Sequence, residues 1–381
     1  MRSEPEPLQQ VGRTYVRFQN RRLSYFSGCD YFRLSRHPAV LAALRSAVAK
    51  YGLNVAASRL TTGNHGLYRK LERRLAQFFD APDALVVSSG YVTNLIVAQT
   101  LAGKFSHALL DAQCHPSLSD AARFLDCPLL HFKHRDPEDV GRAARRCGPG
   151  ARLILLTDGM FASNGSVAPL ADYLPTLPRD AWMLVDDAHG AGVIGRTGKG
   201  SLEHAGVSRQ RIIQTITLSK ALGAFGGAIL CDSRLRQQIL ARSQLFIGST
   251  PPPLPLANAA LESIRILKTD RRLRARLAAN TGYVRKKLRA VELRLEETPG
   301  PIITLYPKSP RAISHLARRL LQAGIFPPFI RYPGGPASGY FRFVISSEHT
   351  RSQLGTLVKT LQTHTKSRRN DRGSKAGKKR N

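Results

Sequence analysis

The sequence is poor in acid. Of 381 residues, 58 are Lys or Arg and only 26 are Asp or Glu, a formal net charge of +32. Such an excess attracts nucleic acid, anionic membranes and phosphorylated ligands alike. Cysteine is scarce as well. Cys29, Cys114, Cys127, Cys147 and Cys231 are odd in number and widely spaced, with no CxxC pair. That excludes a dense disulfide framework, gives no zinc-ligand spacing, and suits a reducing cytoplasm. No apolar run reaches the length of a membrane span, and the N-terminus, MRSEPEPLQQ, lacks the apolar core of a signal peptide. Aromatic residues make up 7% of the chain and no RNA- or DNA-binding motif is present, so no specific nucleic-acid partner is expected.

What is present is ordinary globular sequence, 42% hydrophobic and 22% charged. Part of the charge is local. Residues 366–381 hold eight basic side chains and one acid, and read as a disordered basic tail. Residues 1–45 read as an irregular N-terminal segment. Between 46 and 255, apolar runs (84–89, 107–111, 152–158, 182–187, 211–218, and 228–230) alternate with helical stretches. This alternation predicts an α/β fold, a mainly parallel sheet flanked by helices. The clearest helix is 64–79, with Asn64 as its cap and Leu67, Leu71, Leu75, Phe78 and Phe79 at helical spacing. After the prolines at 251–253 and 255 the pattern changes, and 256–365 reads as a smaller α+β C-terminal domain.

Ligands of parallel α/β sheets sit beyond the carboxyl ends of the strands, and the unusual residues cluster there. WMLVDDAHG ends a strand in Asp186 and Asp187, with His189 beyond. Buried carboxylates need a cation or hydrogen-bond donors, whereas a solvated strand end needs neither. Lys220, in TLSKALGAFGG, follows a β-branched strand and precedes small residues. It is either an ordinary solvated lysine or an amine nucleophile in an apolar pocket. SSGYVTN turns through Gly90 into a helix whose first N–H groups suit a phosphate, or make a plain turn. GAGVIG (190–195) matches a dinucleotide fingerprint, but RTGKGS follows where a helix is required. GKGS (198–201) is likewise out of register for a P-loop.

Together, SRLTTGNHGLYRKLE, SSGYVTN, TDGMFASNG, VDDAHGAGVIGRTGKG and TLSKALGAFGG resemble the α-oxoamine synthases in order and spacing, from about Tyr25 to Ser347. The resemblance implies a fold-type-I PLP-dependent transferase, a homodimer with pyridoxal 5'-phosphate held by Lys220 as a Schiff base. By the same resemblance, Asp186 pairs with the pyridinium nitrogen, His189 bonds the phenolic oxygen and His115 stacks on the ring. Gly90, Tyr91 and Thr217 take the phosphate, helped by Ser249 and Thr250 of a neighbouring subunit, and Arg342 grips the amino-acid carboxylate. Family members join an amino acid to an acyl thioester, carried by coenzyme A or an acyl carrier protein, and release carbon dioxide. The freed lysine removes the Cα proton, the carbanion displaces the thiol, and decarboxylation follows. DDAHG matches the branch that condenses L-alanine with a pimeloyl thioester in biotin biosynthesis. Ketobutyrate-ligase-like and long-chain acyl branches, and aminotransferases of the same fold, are the alternatives. Three positions depart from the family pattern. NVAA (54–57) replaces a glycine-rich stretch, Cys29 replaces an asparagine near the substrate carboxylate, and Ala162 replaces a serine that bonds the phenolic oxygen, with Ser163 next to it.

Overall fold

The computed structural model describes residues 6–291, 293, 295–332 and 335–363; the basic stretch 366–381 lies outside them. The chain divides into two compact units. One comprises Leu34–Arg271 with Thr298–Gly300; the other takes Met1–Arg33, Arg272–Glu297 and Pro301 onward. The divisions fall at 33/34 and 271/272 rather than near 45 and 255. Local packing explains both. Helix α1 (Pro38–Tyr51) lies against the helix Leu254–Thr269 of the same unit. Pro255 stands in the first turn of that second helix, where a fixed φ and a missing N–H cost nothing, so the proline run opens an element of the larger unit.

Strands β1 (Gln9–Val11), β2 (Tyr15–Phe18) and β3 (Arg21–Ser24) form an antiparallel meander where an irregular segment was expected. They belong to the smaller unit. The larger unit is built on a seven-stranded sheet of β4 (Asp83–Val87), β5 (His107–Asp111), β6 (Leu129–Phe132), β7 (Leu153–Asp158), β8 (Trp182–Asp186), β9 (Ile212–Thr217) and β10 (Gly227–Cys231). Their order is β4-β10-β9-β8-β7-β5-β6, and β10 alone runs against the rest. Every residue of β7, β9 and β10 is buried, which is why these strands read as apolar runs without alternation. Edge strand β6, LLHF, is half exposed and carries no such signal.

Helix α2 (Gly66–Phe79) buries the predicted apolar stripe, but His65 caps it, Nδ1 accepting from Leu67 N–H at 3.1 Å. Asn64 instead accepts from Arg59. Helices α3 (Gly90–Thr100) and α4 (Pro116–Ala122) follow β4 and β5 and point their first turns to the carboxyl end of the sheet. In the smaller unit, β11 (Ile302–Leu305), β12 (Phe329–Ile330) and β13 (Tyr340–Val344) pair in the order β11-β13-β12. Their apolar core includes Phe26, Val284, Phe341, Phe343 and Leu357. Among the described residues no helix is long and apolar enough to cross a membrane.

Candidate active site

Strands β7, β8 and β9 end in Asp158, Asp186 and Thr217, and the chain turns immediately afterwards. Beyond those ends lies a cavity of about 220 Å³. Gly90, Tyr91, His115, Asp186, His189, Thr217 and Lys220 all line it, so residues as far apart as 90 and 220 in the sequence meet in one place. Ser249 and Thr250 do not. They lie past the helix Gln244–Ile247, Thr250 is exposed, and the Ser249 hydroxyl is spent on the Leu245 carbonyl. Arg342 stands on β13 in the other unit, its guanidinium 5.2 Å over the Tyr332 ring. Cys29 is also in that unit, hydrogen-bonded to buried Tyr31, whose phenol is pushed up well above its usual range by burial and the Cys29 sulfur.

Asp186 is 5% exposed and fully engaged. Oδ2 accepts from Asn94 Nδ2 at 2.6 Å and from Ser117 Oγ at 3.3 Å, and Oδ1 accepts from the Ala188 N–H at 3.0 Å. Asn94 is itself fixed, its Oδ1 accepting from Thr215 at 2.7 Å. These three donors are neutral, and they fix the orientation of the buried carboxyl group. Asp158 pairs in register with Asp186. Burial and then the Asp186 charge push the Asp158 carboxyl well above the usual carboxylate range, against the His115 N–H from which it accepts at 2.7 Å and the charge of the Lys220 ammonium. A flat heterocycle with a protonated nitrogen would suit this pair of buried carboxylates.

His115 caps α4, its Nδ1 accepting from the Ser117 N–H at 3.2 Å. Burial pushes its pKa below the usual histidine value, partly offset by Asp186 and reinforced by Lys220, which favours the uncharged ring that a stacking role needs. At the other end of the cavity, Ser89 gives α3 no side-chain cap, which leaves the first N–H groups open to an anion. Gly90 is needed there. A Cβ at that position would lie 2.7 Å from Thr217 Cβ and 2.8 Å from its hydroxyl. Residues and cradle thus fit a pyridoxal ring with its phosphate at the α3 start. Ala162 is buried and the Ser163 hydroxyl donates to Asn164 Oδ1 at 3.5 Å; neither is among the residues lining the cavity.

Sequence reasoning missed Asn94, Ser117 and Asp158. Asn94 stands in SSGYVTN and Asp158 in TDGMFASNG, so both lay inside recognised segments, but nothing local marks a residue whose work is to hold another. Asp187 is turned away from the cavity. Its Oδ2 accepts from the Ser201 N–H at 2.7 Å and Gln214 Nε2 at 2.6 Å. Gly200, at φ +91°, approaches that carboxylate too closely for any side chain, which accounts for the glycines that imitate nucleotide fingerprints.

A family profile described as aminotransferase class I and II matches residues 29–361. The chain belongs to this family. It is 34% identical over 364 residues to a putative 8-amino-7-oxononanoate synthase of Desulforudis audaxviator (strain MP104C), covering 95% of this chain and 94% of the relative. It is 34% identical over 349 residues to the 8-amino-7-oxononanoate synthase of Nitrosococcus oceani, covering 91% and 92%. A serine palmitoyltransferase from S. paucimobilis, solved with a bound PLP–myriocin aldimine, superposes with a TM-score of 0.89 at 26% identity over 96% of this chain and 94% of that one. These likenesses identify the chain as a fold-type-I α-oxoamine synthase.

Proposed function

We propose that the protein uses pyridoxal 5'-phosphate to condense L-alanine with a pimeloyl thioester, releasing carbon dioxide and thiol and giving 8-amino-7-oxononanoate for biotin synthesis. The observation that carries this reading is one cavity lined by Lys220, Asp186, His115 and the start of α3, in a chain 34% identical to a relative of that name over nearly its whole length.

When bound, pyridoxal 5'-phosphate supplies an electron sink for negative charge at the amino acid's Cα. Asp186, held by Asn94 and Ser117, keeps a proton on the ring nitrogen. His115 covers one face as a neutral imidazole, and His189 bonds the phenolic oxygen, a task that Ala162 leaves to it. The Gly90 and Tyr91 N–H groups and the Thr217 hydroxyl take the phosphate. Lys220 Nζ removes the Cα proton and later returns one. Arg342 holds the substrate carboxylate through its planar fork until that group leaves as carbon dioxide. Ser249 and Thr250, which lie outside the cavity of their own chain, serve the phosphate of a second subunit in a homodimer. The excess of basic side chains attracts a carrier bearing phosphates, either coenzyme A or an acidic carrier protein. The unpaired cysteines suit a cytoplasmic enzyme.

The test is stoichiometry. With L-alanine alone, solvent deuterium enters Cα and no carbon dioxide forms; adding pimeloyl thioester gives thiol and carbon dioxide in equal amounts. Formation of pyridoxamine phosphate without thioester would identify an aminotransferase instead. A long-chain acyl thioester is the second reading, favoured by the likeness to serine palmitoyltransferase. Rates across thioesters of increasing chain length decide between them.

A further inference from the structure

A second cleft, of about 490 Å³, opens at the opposite end of the same parallel strands. Arg152 directly precedes β7, Trp182 opens β8 and Arg211 directly precedes β9, whereas Asp158, Asp186 and Thr217 close those strands at the first cavity. At about 3.3 Å per residue the two ends stand roughly 15–20 Å apart. Lys104, Phe105 and Arg234 complete the relevant lining.

The cleft combines two chemistries. Trp182, the only tryptophan of the chain, is half-buried and stands edge-on to Phe105 with ring centroids 6.5 Å apart. Around these rings stand four cations. Lys104 donates to Gln238 at 2.6 Å, but among the described residues the guanidiniums of Arg152, Arg211 and Arg234 have neither a hydrogen-bond acceptor nor an ion-pair partner. Two carboxylates share the lining, and Asp232 is already committed to capping the helix Ser233–Arg242 through the Leu235 N–H at 2.7 Å. Positive charge is therefore in excess. Lys104 registers it, its pKa lowered first by burial and then by Arg242 and Arg234. Arginine forks suit phosphate oxygens, and an indole with free surface suits the face of a base.

We propose that this cleft binds a nucleoside polyphosphate, with the base against Trp182 and Phe105 and the phosphates on Arg152, Arg211 and Arg234. Nothing in this depends on the chemistry assigned to the first cavity. Because the chain has one tryptophan, the indole emission that is followed comes from Trp182, in this cleft. The experiment titrates the full-length holoenzyme with ADP, and in parallel with adenosine, inorganic pyrophosphate and a short oligonucleotide. The expected result is a saturable change in emission with ADP, at a midpoint at least about tenfold below those of the three comparators, where tenfold corresponds to one partner's contribution. In the double variant Arg152→Glu/Arg234→Glu, with unchanged circular dichroism, the ADP midpoint rises by a further factor of about ten or more. The proposal is overturned if ADP gives no saturable change into the millimolar range, or if pyrophosphate or the oligonucleotide binds as tightly. It is equally overturned if charge reversal leaves the midpoint where it was. ADP that competes with the acyl thioester while leaving Trp182 emission unchanged would mark binding elsewhere and also reject it.

Discussion

Asn94 donates to Asp186 Oδ2 at 2.6 Å, joining the second turn of a helix to the end of a strand 92 residues away. A hydrogen bond to a charged group contributes about 1.5–3 kcal/mol, so Asn94→Ala should weaken cofactor binding roughly 10- to 100-fold. Asn94→Asp, which sets a third carboxyl beside Asp186 and Asp158, should bind cofactor more weakly still. Reconstitution of the apoprotein, followed by visible absorbance, measures both. Unchanged affinity in Asn94→Ala would remove Asn94 from the site.

Gly90→Ala drives a methyl group into Thr217 at the start of α3. Overpacking of this kind costs about 1–3 kcal/mol, and here it displaces the amides that face the phosphate. Cofactor affinity is predicted to fall more than global stability does, measured by cofactor titration beside a denaturant midpoint. Equal losses in both would mean that the close approach serves only packing.

Glu72 is fully buried and ties three elements of the larger unit together. It accepts from Arg59, from Arg69 at 2.9 Å, from Arg236 at 3.1 Å and from the Val86 N–H at 3.0 Å. Glu72→Gln leaves buried guanidinium charge uncompensated, and breaking a buried pair from one side costs about 3–5 kcal/mol. Chemical denaturation should show a loss of that order, with little change in the absorbance maximum of whatever holoenzyme folds.

Asp187 carries a pH dependence of known sign. Burial raises its pKa to about 7, above its hydrogen bonds' opposing effect. Its folded form therefore keeps a proton that the unfolded chain loses above about pH 4, so stability falls as pH rises from about 4 to 7 and levels off beyond. The slope from this group is at most roughly 1.4 kcal/mol per pH unit. Asp187→Asn retains an oxygen for Ser201 and Gln214 and removes the titration. Its denaturant midpoint should be flatter over that range, and an unaltered pH profile would contradict the assignment.

Much of this architecture was legible in the chain. Fully buried strands such as β7 and β9 announce themselves as apolar runs, and residues at their carboxyl ends inherit a place near the ligand from topology. Asp186, Gly90 and Lys220 were singled out in that way, whereas His115 came only from the resemblance to the α-oxoamine synthases. Strands β1 to β3 were not, because three- and four-residue segments such as YVRF and RRLS are too short and too rich in arginine to show a period. Asn94 and Ser117 escaped because their importance lies in contacts with Asp186 rather than in their own surroundings. The unit boundary near 271 was hidden because a proline run opens a helix as readily as it ends a domain.

Lys220 is predicted to hold the cofactor covalently, and one measurement addresses that directly. The holoenzyme is reduced with borohydride, digested, and its peptides weighed. A pyridoxyl mass increment on the peptide containing Lys220, absent from Lys220→Ala, is the predicted result. An increment on another lysine, or on none, would contradict it.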